Sequence, residues 1–159
     1  MKDAPLVCGG RRRGEKCVQE DAGSLGPVSV TAELAAPRAE VWTYLEHEDR
    51  RARWLPSTQI ELKPGGAVSS QRMGAALETL IGNVDVFVPG HAVGIAWSPA
   101  QDSFGTSVLI TLHSLDDRTK VSVHELGFEP HDNAAARAQG SYSFWSSALR
   151  ALHELVEQG

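Results

Sequence analysis

The stretch Tyr142-Ser143-Phe144-Trp145-Ser146-Ser147-Ala148-Leu149-Arg150-Ala151-Leu152-His153-Glu154-Leu155-Val156-Glu157 decides how this chain folds. Within it Tyr142, Trp145, Leu149, Leu152 and Val156 recur at steps of three and four, the repeat of one helix face. Ala148 and Leu155 widen that stripe, while Ser143, Ser147, Arg150, Glu154 and Glu157 lie opposite. Asp132 or Asn133 offers an N-cap oxygen, so the spacing predicts a helix from about residue 133 to 157, with Gly140 as its weak point. At ~1.5 Å per residue such a helix is roughly 35 Å long, enough to cross an antiparallel sheet.

Upstream the period changes. Val28, Val30, Ala32 and Leu34 alternate with Ser29, Thr31 and Glu33, the pattern of a half-buried strand. Pro37 then opens a helix to about Glu46, since proline's missing N–H costs nothing in a first turn. A second short helical stretch covers Glu48–Trp54 and stops before Pro56. Strand signals follow one another from there. Ile60 and Leu62 precede the turn Pro64-Gly65-Gly66, and Leu77, Thr79 and Ile81 alternate up to a turn at Gly82-Asn83. Val84, Val86 and Val88 lead to Pro89-Gly90, then come Val93, Ile95 and Trp97, then Val108, Ile110 and Leu112. After Asp116-Asp117 the alternation resumes at Val121 and Val123. Successive strand signals without helices between them mean an antiparallel sheet. The order strand, helix, helix, sheet, long helix predicts an α+β domain with the last helix on the concave face of the sheet.

Composition bounds what such a domain does. The 159 residues are 42% hydrophobic and carry a net charge of −5, which suits a single globular core and argues against a dedicated nucleic-acid binder. No apolar run approaches a membrane span. Residues 1–26 are different in kind: they hold five Lys/Arg, including Arg11-Arg12-Arg13, five of the fifteen glycines, both cysteines and no aromatic residue. Such a segment cannot bury enough apolar surface to offset the entropy of ordering it, and is expected to be a flexible leader before a single domain over residues 27–159. It lacks a secretory h-region, so a cytoplasmic location is expected. Cys8 and Cys17 match no zinc spacing and read as incidental reduced thiols.

Certain residues in this order resemble the helix-grip superfamily, also called SRPBCC or START-like, in the branch related to the activator of heat-shock-protein ATPase. They are Ala36-Pro37-Arg38-Ala39-Glu40-Val41-Trp42 with Trp54-Leu55, the pair Gly65-Gly66, Trp97 at the end of a middle strand, Thr119 through Gly127-Phe128, and Trp145, Leu149 and Leu152. The resemblance spans about residues 27–157. It implies a helix-grip fold, a curved antiparallel sheet of six or seven strands around the C-terminal helix, with an apolar ligand held between sheet and helix. Superfamily members include lipid and hormone binders, polyketide cyclases and chaperone co-activators, so the fold leaves function open.

Catalytic signatures do not emerge. His153-Glu154-Leu155-Val156-Glu157 lacks the second histidine of a zinc-protease helix, and no nucleophile elbow, phosphate loop or dinucleotide fingerprint is present. Neither cofactor nor metal is expected. Polar residues inside apolar strands remain: Asp85, His91, His113, and the neighbours His124 and Glu125, of which one should face the helix and the other solvent. The residues expected to line a cavity are Trp54, Trp97, His124, Tyr142, Trp145 and Leu149. The leading expectation is binding of a small aromatic or lipid-like molecule. Its rivals are a cyclase-, dehydratase- or hydrolase-like enzyme using His124 or Asp85 as base, and a chaperone-interaction module. Exposed sheet edges admit a homodimer without demanding one.

Overall fold

The computed structural model describes residues 26–73, 77–101 and 104–158, so Cys8, Cys17 and the arginine triplet lie outside the described residues. The two periods of the sequence become two layers. Strand β1 (Val28–Leu34) is followed by helix α1 (Arg38–Glu46) and one helical turn, α2 (Glu48–Arg51). Then come β2 (Thr58–Ile60), β3 (Ala67–Met73), β4 (Leu77–Val88), β5 (Ala92–Pro99), β6 (Thr106–Leu115), β7 (Arg118–Leu126) and the long helix α3 (Ala134–Gln158). Among the described residues these seven strands form one curved antiparallel sheet in the order β1-β7-β6-β5-β4-β3-β2. Strands β2 to β7 are a meander, and β1 returns to pair with β7, Val30 opposite Val123. With α3 seated on it, this is the helix-grip architecture of the α+β class.

Alternation selects the core. Val93, Ile95, Val108, Ile110, Leu112, Val121 and Val123 face inward from β5, β6 and β7 and are buried. They join one apolar cluster with Trp145, Ala148, Leu149, Leu152 and Val156 of α3. Each fully buried large side chain contributes about 1.5–3 kcal/mol relative to exposure, so the closing of helix on sheet is chiefly a hydrophobic event. Trp42 and Leu45 bring α1 into the same cluster, with the Trp42 ring 6.1 Å from that of Phe87.

Local chemistry sets the joints. Gly65 stands at φ 75° between β2 and β3, a backbone angle that L side chains avoid, and a Cβ on Gly66 would fall 1.8 Å from the Glu61 carbonyl oxygen. Asp116 and Asp117 form the two-residue link between paired Leu115 and Arg118, with Asp116 at φ 57°. Arg51, at the end of α2, is buried and ties two segments together. Its Nη1 donates to the Leu45 carbonyl at 2.6 Å and its Nη2 to the Ile60 carbonyl at 2.9 Å.

Several details differ from the sequence reading. The helical stretch expected over Glu48–Trp54 ends at Arg51. Gly82-Asn83 is not a turn: β4 runs through it for twelve residues, and Gly82 is needed because a Cβ there would meet the Ala96 carbonyl oxygen at 1.9 Å. Leu77 and Ile81 face outward and Leu80 inward, the reverse of the expected face. A bulge between Val84 and Val86 adds one residue, so the following inward place falls to Phe87, and Val86 and Val88 are exposed. Finally, β3 carries no apolar alternation to announce it, because its inward positions after Val68 are Ser70 and Arg72.

Candidate ligand cleft

At one end of the inner face the apolar rule lapses. Trp97 pairs with Thr106 across β5 and β6, and Ser107 with Leu126 across β6 and β7, which brings Trp97, Thr106 and Glu125 side by side. Glu125 is only 1% exposed. Its Oε1 accepts from the Trp145 indole N–H at 3.0 Å, and its Oε2 accepts from Trp97 Nε1 at 3.2 Å and from the Thr106 hydroxyl at 2.5 Å. A buried carboxylate needs such donors, and these three also fix both indoles. The two rings lie 6.3 Å apart at 24°.

Arg72 reaches into the same end from β3. Its guanidinium carbon lies 4.0 Å from the centroid of the Phe144 ring and 4.8 Å from that of Trp97, both within cation–π range. Nη1 donates to Ser141 Oγ of α3 at 3.0 Å. Nε and Nη2 are buried and have no hydrogen-bond partner. Burial pushes the Arg72 pKa down, and the nearby charges of Glu125 and Glu78 act the other way. An arginine keeps its proton under such conditions, so the strain appears as unmet donors, each costing about 1–3 kcal/mol. Glu78 does not meet them, because it receives both prongs of Arg137, at 3.2 and 2.7 Å.

Around this cluster, between the β3–β4 side of the sheet and the N-terminal half of α3, opens a cleft of about 1100 Å³. Trp54, Leu80, Pro99, Phe128, Phe144 and Ala148 give it apolar walls, and its many polar lining residues include Arg72, Glu78, Thr106, Glu125, His131 and Arg137. Trp54 is held in place by its own N–H, which donates to the Tyr44 carbonyl at 2.8 Å.

Residues 35–157 match the family model described as activator of Hsp90 ATPase homolog 1-like protein. The chain belongs to this family. Its SRPBCC-type fold is shared with the crystal structure of protein MLL2253 from Mesorhizobium loti, at 18% identity and a TM-score of 0.71 over 83% of this chain and 97% of that one. DynU16, a protein of the dynemicin biosynthetic locus, gives 20% identity and a TM-score of 0.70 over 84% of this chain and 48% of its own. CalU16 from Micromonospora echinospora gives 19% and 0.66 over 82% and 73%. No curated protein matches the sequence. At these identities the likeness concerns the fold, and the site is read from this chain's own residues.

Within this activator-like fold the six residues expected at a cavity separate into three groups. Trp54 lies on the cleft wall. Trp97, Trp145 and Leu149 are buried in the core cluster just behind it, and the two tryptophans act on the cleft through Glu125 and Arg72. His124 and Tyr142 are misplaced by the expectation. Inward parity on β7 belongs to Thr119, Val121, Val123 and Glu125, so His124 stands on the outer face, hydrogen-bonded through Nδ1 to Ser29 Oγ at 2.8 Å. Tyr142 is 49% exposed, and Ser141 takes the buried place in the helix stripe. Asp85, His91 and His113 are also exposed. The expected base candidates His124 and Asp85 therefore share no pocket with the cleft's polar groups. Counting on from Val121 and Val123 would have selected Glu125. Arg72 offered only its parity with Val68, whereas Ser141, four residues before Trp145, and Phe144, four before Ala148, continue the helix stripe at its own spacing.

Among the described residues no group of three His, Cys, Asp or Glu side chains is placed to hold a metal ion, and no helix is long and apolar enough to cross a membrane.

Proposed function

We propose that this protein binds a small, largely apolar molecule in the cleft between sheet and α3. The observation that carries the reading is a cleft of about 1100 Å³ whose wall joins apolar side chains to a set of polar and charged ones, within reach of the size of small-molecule sites. Trp54 would touch the ligand directly, with Trp97, Trp145 and Leu149 as the rigid backing of the site. Binding rather than catalysis fits the carboxylate at the centre, since Glu125 is buried and already accepts three hydrogen bonds that hold the surrounding side chains.

Native mass spectrometry of gently purified protein is the direct test, with organic extraction to identify any bound mass. The expected result is a bound apolar molecule, or saturable quenching of tryptophan fluorescence by added apolar compounds. Protein that carries nothing and shows no quenching with lipid-like or aromatic compounds overturns the reading.

A further inference from the structure

The two nitrogens of Arg72 that lack partners are not an arbitrary pair. Nη1, which lies on the same side as Cδ, is committed to Ser141 Oγ. Nε and Nη2 carry the N–H bonds of the opposite edge, and they point out parallel, as a two-pronged fork. That edge matches the two oxygens of a carboxylate, the geometry in which arginine binds anions most strongly. Every carboxylate close enough to influence Arg72 is already engaged, Glu125 by two indoles and a hydroxyl and Glu78 by Arg137. The fork is thus complete in shape and empty of partner, on a residue that lines the cleft.

We propose that the Nε–Nη2 edge of Arg72 is an anchor for the carboxylate of an apolar carboxylic acid whose hydrocarbon or aromatic body occupies the cleft. This rests on the binding role argued above and assigns the chemical class of the ligand. Neither nitrogen touches solvent, so side chains packed around the guanidinium must move as the anion enters, the half-buried Phe144 of the cleft wall among them. The rings that flank the guanidinium keep the site dry, which strengthens a charge-assisted pair once formed. Ser141 fixes the guanidinium's rotation, so the fork is oriented before the ligand arrives.

The test compares acids with their uncharged counterparts. Dodecanoic acid against methyl dodecanoate, and 2-naphthoic acid against methyl 2-naphthoate, are titrated into the full-length protein by calorimetry and tryptophan fluorescence at neutral pH. At least one acid should bind tenfold or more tightly than its ester, and which pair shows the preference separates a chain-like from a ring-like body. Arg72→Lys keeps the positive charge without the fork and should lose most of that preference. Arg72→Met, with its fold checked by circular dichroism and thermal melting, should bind acid and ester alike. Equal binding of acid and ester by the wild type, or an undiminished preference in folded Arg72→Met, overturns the anchor and leaves the apolar cleft standing. Failure of all four compounds to bind the wild type overturns both.

Discussion

Among the described residues Arg51 and Arg72 are both drawn inward, and they are finished differently. Arg51 and Arg72 both have their pKa pushed down by burial. Arg51 spends its terminal nitrogens on the carbonyls of Leu45 and Ile60, closing the end of α1 against β2. Arg72 gives one nitrogen to Ser141, rests on aromatic faces, and leaves an entire edge unmet. The first is a structural tie, for which the chain supplies every partner. The second lines the large cleft between sheet and helix, where the chain supplies no partner for that edge. A buried charge therefore says little by itself; the inventory of its donors says whether the site is closed.

The largest expected effect concerns the layer both regions depend on. Trp145 is 1% exposed, and its indole N–H donates to Glu125. Trp145→Ala should destabilise the protein by about 3–5 kcal/mol in denaturant unfolding, typical for emptying a large aromatic site. A loss below about 1 kcal/mol would mean that α3 does not seat on the sheet as described. Arg51→Met comes next. It removes two charge-assisted hydrogen bonds and strands two carbonyls, a loss of roughly 3 kcal/mol. Glu125→Gln follows at about 1–3 kcal/mol, since its amide sets an N–H donor against donors already present.

Arg72→Met sharpens the contrast most directly. The substitution gives up the bond to Ser141 and the aromatic contacts, and it also removes two unsatisfied donors and a desolvated charge. Its stability should stay within about 1 kcal/mol of the parent or rise above it, because replacing an imperfectly paired buried charge with an apolar side chain is often neutral or stabilising. The comparison breaks if Arg72→Met and Arg51→Met unfold at the same denaturant concentration.

Legibility in the sequence follows the same division. Where the interior is dry, the side chains that face it are apolar, and the pattern is readable: β1, β5, β6, β7 and α3 are all visible as period 2 or 3.6. Where the interior is a cleft, inward positions are Arg72, Glu78 and Thr106, and beside them β3 buries Ser70 against Thr58; such residues resemble surface ones, so β3 has no apolar alternation to show it. The bulge in β4 hid Phe87 for another reason, since one added residue reverses the parity of all that follow. In α3 the large Tyr142 drew the stripe one residue away from the small Ser141 that is buried. The places hardest to read are those where residue size and polarity stop reporting burial.

The smallest expected effect tests the inner and outer faces of β7 against each other. His124 and Glu125 are consecutive, and the strand's alternation sends them to opposite sides of the sheet. Glu125 is sealed among three donors; His124 shares a hydrogen bond with Ser29 on the solvent side of the β1–β7 pair. An exposed bond of this kind exchanges readily with water, so His124→Ala should change stability by no more than about 0.5 kcal/mol. It should also leave the affinity for any cleft ligand within about twofold, the size of a change that no direct contact produces. A tenfold loss of affinity on removing His124 would place that imidazole in the site and reverse the assignment of faces on which the Glu125 and Arg72 geometry depends.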